Sequence, residues 1–144
     1  MTIAQQLKIK EFPFVIKDNR GNVVYYEDST GYWRKWKYDA QGNQVYFEGS
    51  NGYWGKSEYN DQGNEVYFES STGYWTKREY DDQGNQVYWE DSNGYWVKRE
   101  YDDRGNGVYF ENSNGMIKDN RPQQNCEGKV VEIDGKKYKL ELLK

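Results

Sequence analysis

Glycine returns every 21 residues through most of this chain, at Gly31, Gly52, Gly73, Gly94 and Gly115. A second glycine, always followed by asparagine, keeps the same period at Gly21, Gly42, Gly63, Gly84 and Gly105. The unit is plainest from Gly94 to Asn114, GYWVKREYDDRGNGVYFENSN. A fixed period of this length constrains the fold more than any local motif does. Such a unit is one supersecondary element that buries its faces only by stacking on its neighbours.

Each unit holds two runs that read as β. One is Tyr-Trp-x-Lys-x-Glu-Tyr-Asp, as in Tyr74 to Asp81, and the other is Val-Tyr-aromatic-Glu, as in Val87 to Glu90. Aromatic and β-branched residues suit a pleated, half-buried surface. The runs are separated by Asp-x-Gly-Asn and followed by x-Ser-x-Gly, both of them turn chemistry. The chain is therefore expected to be all-β: tandem 21-residue antiparallel hairpins forming a twisted meander or solenoid-like strip with capping ends. The 144 residues make one domain. Residues 1–20 form an N-terminal cap, 21–115 the hairpin repeats, and 116–144 a C-terminal cap.

Charge pairing predicts the register. If Asp82 to Asn85 form the loop, Asp81 faces Gln86, Tyr80 faces Val87, Glu79 faces Tyr88 and Lys77 faces Glu90. The same register sets Lys35 against Glu48, Lys56 against Glu69 and Lys98 against Glu111. Each opposed pair contributes roughly 0.2–1 kcal/mol. Alternation then puts Tyr74, Tyr80, Val87 and Trp89 on one face, expected to point inward. Trp75, Lys77, Glu79, Tyr88 and Glu90 lie on the other. Keeping the faces consistent requires an odd number of residues in the second loop, or a bulge.

The ends depart from the pattern. Leu7, Ile9, Phe12, Phe14, Val15 and Ile16 form a partly alternating stretch that reads as a strand, with Pro13 marking an edge. Residues 10–30 read as a degenerate first repeat, since Lys17 to Asn22 already match the turn. Near the other end, residues 122–127 read as a loop. Asp134-Gly135 between alternating runs predicts a hairpin over 129–142 with a type I′ turn. Both end segments are expected to close the core and blunt its edges.

The spacing of Gly31, Tyr38-Asp39 and Gly42-Asn43 resembles the YD repeat of Rhs-type and wall-associated proteins. It recurs at Tyr80-Asp81 and Tyr101-Asp102, departs at Tyr59-Asn60, and covers residues 18–115. The resemblance implies a curled β-strip of hairpins, which in that family can enclose cargo; four full repeats are too few for a shell. The run from Gly63 to Gly73 is similar to aromatic wall-binding hairpin repeats, where aromatic cages take choline or glycans. Those cages need tryptophan where this chain has Val45, Val66, Val87 and Val108. A looser likeness is to hairpin-repeat antitoxin and immunity proteins.

Catalytic chemistry is not evident. The chain has no histidine, so it lacks the commonest general base and metal ligand. The single cysteine, Cys126, has neither a disulfide partner nor a histidine to activate it. The Asp81-Asp82 and Asp102-Asp103 pairs sit in turns, where aspartate bonds the local backbone, and their spacing is not that of an EF-hand. No enzyme activity, cofactor or metal is expected. The net charge of −4 with mixed signs argues against direct nucleic-acid binding. No apolar run is long enough to span a membrane, and the first residues lack the pattern of a secretion signal; cytoplasmic residence is expected.

The tryptophan row Trp33, Trp54, Trp75 and Trp96 has three readings. It is a structural ladder, each ring on its neighbour and on lysine stems, or a partner-binding surface, or a cation–π site. Candidate partner-binding residues are these four with Trp36, Arg34, Arg78, Arg99, Tyr46, Tyr67, Tyr88 and Tyr109. The positions after tryptophan vary between repeats: Arg34, Gly55, Thr76, Val97, and Trp36, Ser57, Arg78, Arg99. A specific partner would be read there. The expected function is binding of another protein or protein complex, as an intracellular inhibitor: an antitoxin, an immunity protein or a phage-encoded anti-defence protein such as an anti-CRISPR. The alternatives are a cell-wall, choline or glycan binding module, and a structural protein that self-assembles, or dimerises, through its edge strands.

Overall fold

The computed structural model describes residues 1–122 and 128–141. Cys126, most of the expected 122–127 loop, and Leu142 lie outside the described residues. The repeats form one antiparallel meander of eleven strands in chain order. These are β1 (Phe14–Lys17), β2 (Val23–Glu27), β3 (Trp33–Tyr38), β4 (Gln44–Gly49), β5 (Trp54–Tyr59), β6 (Glu65–Ser70), β7 (Trp75–Tyr80), β8 (Gln86–Asp91), β9 (Trp96–Tyr101), β10 (Gly107–Asn112) and β11 (Ile117–Asp119). Strands β1 and β11 remain as edges, so the sheet does not close.

Each hairpin loop is held by its own residues. In the loop after β7, the Asp81 N–H donates to the Asn85 carbonyl at 2.9 Å and the Gly84 N–H to the Asp81 carbonyl at 3.0 Å. Asp81 Oδ1 accepts from the Gln83 and Asn85 amides at 3.0 and 2.8 Å. Gly84 sits at φ +83°, which only glycine adopts without strain. The same loop geometry recurs around Asp18, Asp39, Asn60 and Asp102.

The charge-paired register is present: Lys35↔Glu48, Lys56↔Glu69, Lys77↔Glu90 and Lys98↔Glu111. Glu79 faces Tyr88 as expected, but Tyr80 faces Gln86 and not Val87. The Asp81 side chain needs both Gln83 and Asn85 inside the loop, so the loop takes Asp81 as well and the ladder absorbs the extra residue as a bulge. The tyrosine hydroxyl then ties down the broken ladder of the preceding repeat. Tyr80 Oη donates to the Glu65 carbonyl at 3.0 Å, as Tyr59 does to Gln44 and Tyr101 to Gln86. In the second loop, Glu48 pairs with Trp54, leaving residues 49–53 between them, an odd number as the face argument requires.

The register also advances. Trp36 faces Phe47, which faces Gly55; two residues on, Ser57 faces Phe68, which faces Thr76. Equivalent residues therefore step two strands across and two residues along. At about 4.8 Å per strand and about 3.3 Å per residue, they lie about 12 Å apart.

The two faces divide the side chains as expected, but neither points inward. Among the described residues no second layer covers the sheet beyond a short helix at its start, and no side chain is fully buried. Tyr53 and Tyr74, on the face expected to be internal, are each 38% exposed. Burial is achieved sideways instead. Gly55 lies between the Phe47 and Phe68 rings, so close that a Cβ there would meet Phe47 Cε1 at 2.4 Å. Thr76 and Val97 hold the equivalent place in later repeats and are buried beside Phe68 and Trp89.

Both ends differ from expectation. The N-terminal stretch is not one strand. Thr2 caps helix α1 (Ile3–Leu7) through a capping box with Gln5, and Lys8 closes it in the left-handed region, leaving only Phe14–Lys17 as strand. At the other end, the predicted hairpin forms as β12 (Val130–Ile133) and β13 (Lys136–Lys139) around Asp134-Gly135, both at positive φ. Among the described residues it is shorter than expected and pairs only with itself. It does not blunt the edge of the large sheet, which ends at the short strand β11. Its alternating side chains remain exposed, so no shared apolar face draws it onto the meander.

Thr76 Oγ1 is buried without a hydrogen-bond partner. Thr76→Val, which copies Val97 one repeat on, is expected to raise stability by about 1 kcal/mol in urea denaturation. Gly73 sits at φ +83° in open space. Gly73→Ala is expected to cost about 1 kcal/mol in the same measurement, through backbone strain alone.

Candidate functional site

The sheet separates the candidate residues. Register places Trp33, Trp54, Trp75, Trp96, Tyr46, Tyr67, Tyr88 and Tyr109 on one face, here the ladder face. Trp36, Arg34, Arg78 and Arg99 stand on the opposite, variable face. They do not form one surface.

The ladder face is a lattice of internal contacts. Lysine Nζ lies over the tryptophan ring of its own strand: Lys35 over Trp33 at 4.8 Å, Lys77 over Trp75 at 5.1 Å, and Lys98 over Trp96 at 5.3 Å. Two of these lysines also reach the facing glutamates, with Lys35–Glu48 at 2.6 Å and Lys77–Glu90 at 3.5 Å. Each glutamate also accepts from the tyrosine two residues before it: Tyr46 to Glu48, Tyr88 to Glu90 and Tyr109 to Glu111, each at 2.9 Å. The bond to Glu48 pushes the Tyr46 hydroxyl above its ordinary pKa, and Glu111 does the same to Tyr109. The tryptophans do not pack on one another among the described residues; at about 12 Å spacing, lysine and glutamate fill the gaps between them. A cation placed on these rings would have to displace lysine, which counts against choline recognition there.

The first repeat shows the lattice capped. Phe14 stands opposite Glu27 where later repeats have lysine. Helix α1 supplies the missing donor: Glu27 Oε2 accepts the Ala4 amide at 3.1 Å and the Tyr25 hydroxyl at 2.7 Å. Burial pushes the Glu27 carboxyl up, but the bonds from Thr2, Tyr25 and Ala4 outweigh it and leave its pKa below the ordinary value. Burial, then the bond to Glu27, pushes Tyr25 up to about 12.

The variable face is where repeats differ. Both rows singled out for their variation lie on it: Arg34, Gly55, Thr76, Val97, and Trp36, Ser57, Arg78, Arg99. On the ladder face only the position of Lys37, Glu58, Glu79 and Glu100 changes across the four full repeats. Two concavities open on the variable face. One, of about 350 Å³, is lined by Arg78, Gln86, Trp89, Tyr95, Val97, Arg99 and Phe110. Beside it, one of about 300 Å³ includes Arg99, Phe110, Lys118 and Asn120.

Sequence reasoning missed a separation of charge. Within β1–β11 the variable face carries Lys17, Arg34, Arg78, Arg99 and Lys118 against only Glu65 and Asp91. The ladder face carries Lys35, Lys37, Lys56, Lys77 and Lys98 against Glu27, Glu48, Glu58, Glu69, Glu79, Glu90, Glu100, Glu111 and Asp119. A chain of net charge −4 thus has one basic face. Strand alternation held the signal, but it emerges only when charges are summed by face.

The turn aspartates are occupied locally. The Asn85 side chain, with nearby backbone amides, holds the Asp81 carboxyl below its ordinary pKa, and Asn43 and Asn106 do the same for Asp39 and Asp102. Among the described residues no acidic or cysteine cluster is arranged to hold a metal ion.

No protein-family model matches this chain, and no curated protein is similar to it. Solved structures are. The chain is similar to part of the Tc holotoxin pore of Photorhabdus luminescens, with a TM-score of 0.56 and 17% identity, over 69% of this chain and 5% of that one. A TcdB2–TccC3 crystal structure gives a TM-score of 0.56 and 15% identity, over 78% of this chain and 6% of that one. The sheet resembles the YD-repeat region of Tc toxins. The likeness is one of fold, and this chain spans only a small part of the length of those proteins.

The Tyr25–Glu27 pair gives the sheet an alkaline limit. Tyr25 titrates higher folded than unfolded, so its contribution is complete below pH of about 10 and is lost as pH rises towards about 12. Urea midpoints are expected to fall over that window, and Tyr25→Phe to remove part of the fall.

Proposed function

We propose that this chain is a non-catalytic binding module whose variable face engages another protein. The observation that carries this reading is the segregation of repeat-to-repeat variation. The ladder face repeats almost the same contacts from hairpin to hairpin, as a scaffold must. The opposite face changes its side chains in the same frame, as a surface reading an irregular partner must. Trp33, Trp54, Trp75 and Trp96 then act as scaffold, and Trp36, Arg34, Arg78 and Arg99 as contact residues. A rigid sheet that covers a partner without altering it suits an inhibitor acting by occlusion, as an antitoxin, immunity protein or phage-encoded anti-defence protein would.

The self-assembling alternative meets a topological obstacle. In an eleven-strand meander both edges run in the same direction, so head-to-tail growth that keeps each face on one side would have to join β11 to β1 as parallel strands. Antiparallel pairing would join an edge to its own copy, which gives a dimer when one edge pairs and continues further only if β1 and β11 both do so.

A photo-crosslinking amino acid placed at position 57, on the variable face, or at 56, on the ladder face, tests the proposal in extracts of the source cells. A discrete protein adduct is expected from position 57 and none from 56. Equal adducts from both positions, or none from either, would overturn it.

A further inference from the structure

We propose that the C-terminal half of the variable face is a trough for an extended, acidic segment of the partner protein. This rests on the reading of that face as the contact surface and specifies what it contacts.

Three cations stand on alternate strands: Arg78 on β7, Arg99 on β9 and Lys118 on β11. Arg99, Phe110 and Lys118 share one cross-strand row, so the backbones that carry the two cations stand about 10 Å apart on either side of Phe110. Arg78 lies one repeat before Arg99, about 12 Å away. Arg78 is held by Glu65. Among the described residues Arg99 and Lys118 join no ion pair. The other carboxylate on this half of the face, Asp91, is buried and accepts the Asn93 and Tyr95 amides at 2.8 and 3.3 Å. Two cations therefore face the adjoining concavities without a countercharge, and Trp89, Val97 and Phe110 give the floor an apolar surface.

The Arg99 guanidinium lies over the Phe110 ring at 5.8 Å, which holds it in place before any partner arrives. Arginine so placed suits bidentate pairing with a carboxylate. An extended chain advances about 3.3 Å per residue and repeats its side-chain direction every second residue. Carboxylates at every fourth residue therefore fall about 13 Å apart on one side, close to the spacing of the cations.

Single-stranded nucleic acid is the other polyanion that suits a basic, aromatic trough. It needs open aromatic faces on which bases stack. Here Trp89 meets Tyr95 edge-on at 5.7 Å and Arg99 covers Phe110, while the opposite face of the sheet is acidic. An acidic protein segment fits better.

The test uses the full chain and three fluorescein-labelled probes in anisotropy titrations. These are a Gly/Ser/Tyr peptide with Glu at every fourth position, the same peptide with Gln there, and an oligothymidylate. Saturable binding of the Glu peptide is expected, weakened by added salt and about tenfold tighter than the Gln peptide. Arg99→Gln with Lys118→Gln should remove that preference, whereas Lys56→Gln on the ladder face should leave it intact. Circular dichroism of each variant checks that the sheet is retained. Equal binding of the Glu and Gln peptides, or tighter binding of oligothymidylate, overturns the proposal. If position 57 still crosslinks to a protein in that case, the trough is wrong but the contact face stands; if it does not, both fall.

Discussion

A sheet that, among the described residues, has only the short helix α1 against one end must be held together mainly within its own plane. Here the cohesion comes from one set of cross-strand pairs, such as Lys35↔Glu48, that recurs in the same register every 21 residues. Lysine lies on the tryptophan of its own strand and reaches the glutamate of the next, which accepts the hydroxyl of its own tyrosine. Each exposed pair alone contributes little. The lattice gains from sharing: Glu48 and Glu90 each hold a lysine and a tyrosine, and Lys35 and Lys77 each meet a tryptophan and a glutamate. The Asx-type loops and the tyrosine bonds to the bulge carbonyls protect the same register at the strand ends, where a slip would otherwise begin.

That economy separates two tasks. Because the lattice uses one face, the other is free to carry different side chains in each repeat without loss of pairing. Gly55, Thr76 and Val97 occupy one place between aromatic rings, and Ser57, Arg78 and Arg99 another. Repeat proteins in general combine an invariant stacking interface with a changeable binding surface. In this chain the repeated contacts and the varying side chains lie on the two sides of one layer, and the charge separation follows the same division.

Much of this was legible beforehand because β-structure has a period of two and the repeat has a fixed length. Lys77 and Glu90 can meet in only one register, and that register assigns Trp75 and Trp89 to opposite faces. Three features were not legible. The Asp81 side chain draws its own residue into the loop and shifts Tyr80 onto Gln86, a competition between turn and ladder that pattern alone does not weigh. The first residues form helix α1 because Thr2 and Gln5 cap it, although their hydrophobic pattern also fits a strand. The tryptophans stand apart because the register advances at each hairpin, which becomes visible only when successive pairings are followed across the sheet.

By itself, then, the sequence determined the hairpin unit, its turns, its charge-paired register and the membership of each face, since all of these follow from local geometry and fixed spacing. The tertiary structure alone decided that, among the described residues, no second layer covers the sheet, its edges stay apart, and the hairpin of β12 and β13 pairs only with itself. Those outcomes depend on how many strands lie side by side and on which surfaces meet, and neither is encoded in any single repeat.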